Sequence, residues 1–341
     1  MSEYADTQWF NQVYLGSSEH MDKIPERSVA CCVTSPPYYG LREYDTDEQI
    51  GHEATVADYV ERLVTVFREV RHKLRDDGTL WLNVGDSYAG TGPLSQESKP
   101  IDRVYARVGN TMRGIQRRMG TVPGLKPKDL MGIPWRIAFA LQADGWWLRD
   151  AIVWAKPNPM PSSVTDRCTS SYEMVFMLAK SKTYFADMDS VREPFAPATV
   201  DRISQAKWKS GEQAGSERAN GGAKTNGPMR AVVNAKGHRR PEQIEDNPDA
   251  FNMAGANLRN VWSIPTTPYF GDHPAVMPRA LATRCILIGS RPNDIILDPF
   301  MGSGTVAECA IGNGRRFVGY EISEKYHAEI AARLGLFGGA A

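Results

Sequence analysis

The stretch DIILDPFMGSGTVAECAIGNGRRFVGYEIS, Asp294 to Ser323, decides the fold. Ile295, Ile296 and Leu297 form a short apolar run, ended by Asp298 and Pro299, that reads as a buried strand. Gly302-Ser303-Gly304 then makes a tight turn into a helix expected from Thr305 to Ile311, with Gly312 and Gly314 as its stop. Glycines at such a turn let backbone approach a ligand closely. Phe317 to Gly319 begins a second strand ending on Glu321. An acid at that tip, about twenty residues past the glycines, suits ribose hydroxyls. The unit is therefore half of a nucleoside-cofactor site in a Rossmann-like α/β fold. A dinucleotide fold is the default for a lone GxG turn, but Ala307 stands where the third glycine of G-x-G-x-x-G would be.

A second stretch, TSPPYYG from Thr34 to Gly40, follows the apolar run Val29 to Val33. Two consecutive prolines lack N–H groups and fix φ, so the chain leaves this strand stiff and extended. The loop carries free carbonyls, the Ser35 hydroxyl and the Tyr38 ring, a set suited to holding a planar amino group between acceptors and an aromatic face. TSPPY resembles the catalytic motif of the DNA amino-methyltransferases, written S/D/N-P-P-Y/F, and DPFMGSGT is similar to the S-adenosylmethionine motif of the same family.

The resemblance implies a Rossmann-like methyltransferase fold, a mostly parallel sheet with helices on both faces, in the permuted beta order of motifs. It makes Ser35, Pro36, Pro37 and Tyr38 catalytic. Asp298, Pro299, Phe300, Gly302, Ser303, Gly304, Thr305, Glu321 and His273 would contact S-adenosylmethionine. His273 enters through a likeness of residues 273–290 to an H-P-x-x-x-P helix. A loose match of Trp154 to Asn158 to a W-x-K-x-N stretch adds Lys156 and Asn158 as base-pocket residues. At Ser17 the family usually has Asp after glycine, so a polar cofactor contact there is not carried over. SPPY usually accompanies cytosine N4 methylation and D/N-P-P-Y adenine N6, which makes cytosine N4 the first expectation and adenine N6 the alternative. A cytosine C5 enzyme would need a Pro-Cys nucleophile, absent here. From another class, a DNA-binding module with this fold but no turnover stands as a further alternative.

Lys plus Arg and Asp plus Glu each number 40, so the formal charge is zero. That balance excludes a uniformly basic protein, not local basic surfaces. Residues 88–127 hold Arg103, Arg107, Arg113, Arg117 and Arg118 without sustained period; Arg113, Arg117 and Arg118 are taken as phosphate contacts. Residues 194–260 lose hydrophobic periodicity and are again rich in Lys and Arg. They are expected to be a target-recognition insert between a catalytic half, 1–193, and a cofactor half, 261–341.

The five cysteines show no metal-ligand spacing, and no metal is expected. Without a signal-peptide pattern or an apolar run of membrane length, the expectation is a cytoplasmic protein with no membrane partner. Double-stranded DNA is the expected partner, with a homodimer and a cognate restriction endonuclease added by family analogy.

Several elements are also expected from periodicity. Thr55 to Arg75 reads as an amphipathic helix capped by Thr55 and ended near Gly78, and Thr79 to Val84 as a strand. Asp129 to Asp144 reads as a helix burying Leu130, Ile137, Phe139 and Leu141.

Overall fold

In a computed structural model of the chain, the described residues are 9–40, 49–90, 122–195, 255–266 and 276–335. In order they form β1 (Gln12–Leu15), β2 (Val29–Thr34), α1 (Val56–Lys73), β3 (Leu74–Val84), α2 (Ile133–Ala143), β4 (Trp147–Ala155) and β5 (Tyr172–Ala179). After a 3-10 turn (Asp189–Val191) come β6 (Val261–Ser263), α3 (Arg279–Gly289), β7 (Ile295–Asp298), α4 (Thr305–Gly312), β8 (Arg316–Glu321) and α5 (Glu324–Leu334).

The strands make one eight-stranded sheet in the order β1-β8-β7-β2-β3-β5-β4-β6. From β1 to β3 every neighbour is parallel; β5 then runs antiparallel to both β3 and β4, and β6 lies parallel to β4. Parallel strands deliver their C-terminal ends to one edge, where open α/β sheets bind ligands. That edge collects Leu15, Thr34, Val84, Asp298 and Glu321. Because β5 is reversed, its first residues reach the same edge, with Met174 opposite Val84 and Tyr172 opposite Ala155.

Both faces of the central strands are covered, so β2 is buried along its whole length. On β3, Leu80, Leu82 and Val84 join the cluster formed with Tyr59, Leu63, Phe67 and Val70 of α1 and Ile137 and Leu141 of α2. Each such side chain contributes about 1.5–3 kcal/mol on full burial. Alternate residues Thr79 and Trp81 face the other way, toward Cys31 of β2 and the last turn of α3, where Trp81 also stacks on Trp262 at 6.3 Å.

Helix α1 starts where Thr55 Oγ1 accepts from the Asp58 backbone N–H (3.1 Å) and donates to the Asp58 carboxylate (2.7 Å). It ends two residues before Arg75, the expected limit. Gly78 is not its stop but lies inside β3, which begins directly at Leu74, so the strand is five residues longer at its start than Thr79. Pairing of Val29 with Leu74 overrides the local turn signal of Asp76-Asp77-Gly78. Helix α2 starts at Ile133 rather than Asp129, because the Asp86 carboxylate receives the Gly132 and Ile133 N–H groups at 3.1 Å. Ile137 and Leu141 are buried as expected. Phe139 is 56% exposed and Leu130 51%, since Phe139 falls on the outer side of the turn and Leu130 precedes the helix in a bridge to Tyr88.

Residues 188–258 form a separate compact unit. Within it, Glu193 bridges Ala256, and Arg192 donates to the Gly255 carbonyl at 2.8 Å and to Asn257 at 3.0 Å.

Helix α3 packs tightly on the sheet at Gly289. A Cβ there would stand 2.5 Å from Cys31 Sγ and 2.8 Å from Trp81 Nε1, whereas one at Gly312 meets nothing within 4 Å. Gly289→Ala should therefore lower unfolding free energy by roughly 1–3 kcal/mol through overpacking. Gly312→Ala should change it far less; urea midpoints of the two variants check the contrast.

Candidate active site

The loop after β2 is stiffened by its prolines and fixed from three sides. Tyr59, fully buried on α1, donates its hydroxyl to the Pro37 carbonyl at 2.8 Å. Gly85, just past β3, lies under the Tyr38 ring so closely that a Cβ would come 2.7 Å from Cε2. The Tyr38 hydroxyl donates to Glu173 Oε2 at 2.6 Å, and Ser35 Oγ makes a long contact of 3.5 Å to that hydroxyl. Burial, then the Glu173 carboxylate, pushes the Tyr38 hydroxyl well above its usual range, so it stays a donor. Glu173 also accepts from Asn83 Nδ2 at 3.1 Å and forms an ion pair with Lys156, whose Nζ lies 4.6 Å from the Trp154 ring centre.

Beside this loop, across the β2–β7 pairing, stands Asp298. The Thr34 hydroxyl donates to its Oδ1 at 2.6 Å and the Phe300 N–H to the same oxygen at 3.0 Å. Asp298 is 3% exposed, and burial raises its carboxyl from the usual range to about 7. Glu321, at the tip of β8, is likewise raised to about 7 by burial. Its two oxygens accept from the N–H groups of Gly302 (2.8 Å), in the turn into α4, and of Ser323 (2.9 Å), just ahead of α5.

Gly302 and Gly304 take positive φ of 55° and 78°, which only glycine adopts without strain. Ser303 and Thr305 hydroxyls pair at 3.1 Å, and Arg333 of α5 donates to the Ser303 carbonyl at 2.5 Å while holding Glu308 of α4. Buried Pro299 and half-buried Phe300 complete the bend. A pair of buried carboxylates short of cations, next to a glycine turn, fits a ligand with hydroxyl donors and positive charge. A sulfonium nucleoside has both.

The structure thus brings Ser35, Pro36, Pro37, Tyr38, Asp298, Pro299, Phe300, Gly302, Ser303, Gly304, Thr305, Glu321 and Lys156 to one sheet edge. Asn158 lies beyond β4, where its side-chain amide is clamped to the backbone of Thr266, accepting at 2.9 Å and donating at 3.2 Å. His273, Arg113, Arg117 and Arg118 lie outside the described residues. Ser17 turns its hydroxyl to Glu19 (3.2 Å), which Arg62 holds at 2.8 Å. Sequence reasoning missed Glu173, Asn83 and Tyr59. Glu173 is the second residue of β5, and the reversal of that strand is what brings it to the Tyr38 hydroxyl.

Among the described residues no cluster of His, Cys, Asp and Glu could hold a metal, and no helix is long and apolar enough to cross a membrane. Two solved structures share the fold. That of the PvuII DNA methyltransferase (cytosine-N4-specific) superposes with a TM-score of 0.57 at 17% identity, covering 94% of this chain and 85% of that one. That of a DNA modification methylase from Thermus thermophilus, complexed with S-adenosyl-L-methionine and described as putative, gives 0.53 at 20% identity over 97% and 95%. In sequence, the type II methyltransferase M.SmaI of Serratia marcescens is 41% identical over 304 residues, 89% of this chain and 83% of that protein. The DNA methylase family model, which spans the N6 and N4 enzymes, matches residues 29–333, so that both loops of the site and the sheet between them lie inside the match, and the chain belongs to that DNA methylase family.

Proposed function

We propose that this DNA methylase transfers a methyl group from S-adenosylmethionine to the exocyclic amine of a base flipped out of duplex DNA, with cytosine N4 as the target. The observation that carries the reading is the 2.6 Å hydrogen bond from Thr34 to Asp298, which places the Ser35 loop next to the glycine turn. The cofactor supplies an electrophilic methyl on a sulfonium centre that is also a good leaving group. Glu321 and Asp298 would accept its hydroxyl and charged donors, with Gly302 to Thr305 lining its path. An exocyclic amine is a weak nucleophile because its lone pair is delocalised into the ring. The Ser35 hydroxyl and the Ser35-Pro36 carbonyl accept the two amino hydrogens and localise that lone pair, while Tyr59 keeps the Pro37 carbonyl occupied. Positioning and electrostatics therefore account for the acceleration, and no covalent enzyme intermediate is required. The Tyr38 ring offers a stacking face for the extruded base.

Cytosine is favoured over adenine by Ser at position 35 and by the shared fold with a cytosine-N4 enzyme; adenine N6 is the alternative. Residues 194–260 are proposed to read the target sequence and residues 88–127 to contact phosphates. Duplex DNA as partner, a cognate endonuclease, a homodimer and a cytoplasmic setting complete this reading on the strength of the family resemblance.

The deciding experiment incubates the protein with unmethylated duplex DNA and S-adenosylmethionine and identifies methylated nucleosides by mass spectrometry. N4-methylcytosine is the expected product, N6-methyladenine would overturn the base assignment, and no product would overturn the activity. Ser35→Ala should lower kcat by roughly 100-fold, since it removes an acceptor used at the reacting amine, while cofactor affinity holds. Gly85→Ala should also slow transfer, by displacing the Tyr38 ring.

Asp298 and Glu321 have folded-state values near 7, above their unfolded ones. Their contribution to stability is present at low pH and lost as pH rises through about 7. A ligand that donates to the anions reverses this loss. Thermal protection by S-adenosylmethionine should grow between about pH 5 and 8 and flatten in Asp298→Asn; equal protection at both pH values would remove these carboxylates from the cofactor site.

A further inference from the structure

Four groups from four segments meet at the Glu173 carboxylate edge of the site. Tyr38 comes from the loop after β2, Asn83 from β3, Lys156 from the residue after β4, and Glu173 from the second position of β5. One oxygen, Oε2, accepts from Tyr38 and Asn83; the other, Oε1, is held by Lys156. Neither Glu173 nor Lys156 is far into solvent, their side chains being 16% and 19% exposed. An ion pair so sheltered is not a rim contact screened by water. Its geometry is set by strand register: Met174 faces Val84, and Ala155 faces Tyr172.

Resting on the methyltransferase reading, we propose that Glu173 is a positioning residue for the transfer: it fixes the Tyr38 ring and turns the Ser35 hydroxyl into an acceptor toward the target amine. The direction of donation carries the argument. An ionised carboxylate is acceptor-only, so Tyr38 must donate to it. The Tyr38 oxygen is then left to accept, and the donor facing it is Ser35, at 3.5 Å. With its hydrogen directed there, Ser35 presents lone pairs outward, as an amine donor requires. Catalytic hydrogen bonds are often long in ligand-free sites and shorten when substrate closes them. Lys156 holds the other carboxylate oxygen and supplies the third side of the clamp. Its place in this proposal is to hold Glu173.

The alternative for this cluster is simple strand-end packing, which predicts lost stability without a specific loss of turnover. The test compares wild type, Glu173→Ala, Glu173→Gln, Tyr38→Phe and the double variant Tyr38→Phe/Glu173→Ala on unmethylated duplex DNA, measuring kcat, KM for DNA and cofactor affinity by titration. Glu173→Ala should lose about 100-fold in kcat, the size expected for a misplaced reacting group, with cofactor affinity unchanged. Glu173→Gln keeps an acceptor oxygen and should recover part of the rate. Because Glu173 acts through the Tyr38 hydroxyl, the double variant should be no slower than the slower single. Should Glu173→Ala fail to fold, Glu173→Gln and its combination with Tyr38→Phe carry the same comparison. A kcat within about twofold of wild type in Glu173→Ala, or losses that multiply in the double, would overturn the proposal. Failure of wild type itself to methylate any DNA would overturn the reading beneath it.

Discussion

The hydrogen bond from Thr34 to Asp298, buried and 264 residues apart in sequence, is the constraint on which the site depends. It is possible only because β2 and β7 pair in parallel, with Cys31 beside Ile296 and Cys32 beside Leu297. Were the register slipped by one residue, alternate side chains would exchange faces and Thr34 would no longer meet the carboxylate. The two loops that do the chemistry are each stiff by their own composition, through prolines in one and left-handed glycines in the other. What places them together is strand pairing.

Charge is distributed over the sheet in a way that matches this division of labour. At the N-terminal edge, Arg75 clasps Asp294 through two contacts of 2.7 and 3.2 Å, tying the start of β3 to the residue before β7. There the acid has a cation and the pair is structural. At the C-terminal edge the donors to Asp298 and Glu321 are a hydroxyl and backbone N–H groups, so burial is not offset by a positive partner. Such groups are poised for a ligand. Glu173, at the same edge, is the exception that has its lysine, in keeping with a role as a fixed acceptor for Tyr38 and Asn83.

Much of this was legible in the sequence. The turn Gly302-Ser303-Gly304, the strand before it and the acid at 321 follow local rules, and TSPPY breaks a strand by rules equally local. Helix α1 could be read from its apolar period and the Thr55 cap. Its end could not, because Leu74 to Gly78 is drawn into β3 by pairing with Val29, a contact across the fold. Phe139 misled for a related reason: apolar residues do not all face inward, and the phase of α2 is set by Asp86, far upstream. Glu173 and Asn83 carried no local signal at all. Their meaning comes from the reversal of β5, which no spacing in the chain announces.

The position of β2 in the middle of the sheet also governs how the chain can be made. Its β7 neighbour is synthesised more than 250 residues later, and contacts of such separation form late because loop closure must precede them. Until then an apolar central strand presents an open edge, the feature that invites intermolecular pairing. A nascent chain carrying only the Ser35 loop has no glycine turn beside it. The two loops of the site are therefore brought together only when β7 pairs with β2, late in the making of the chain.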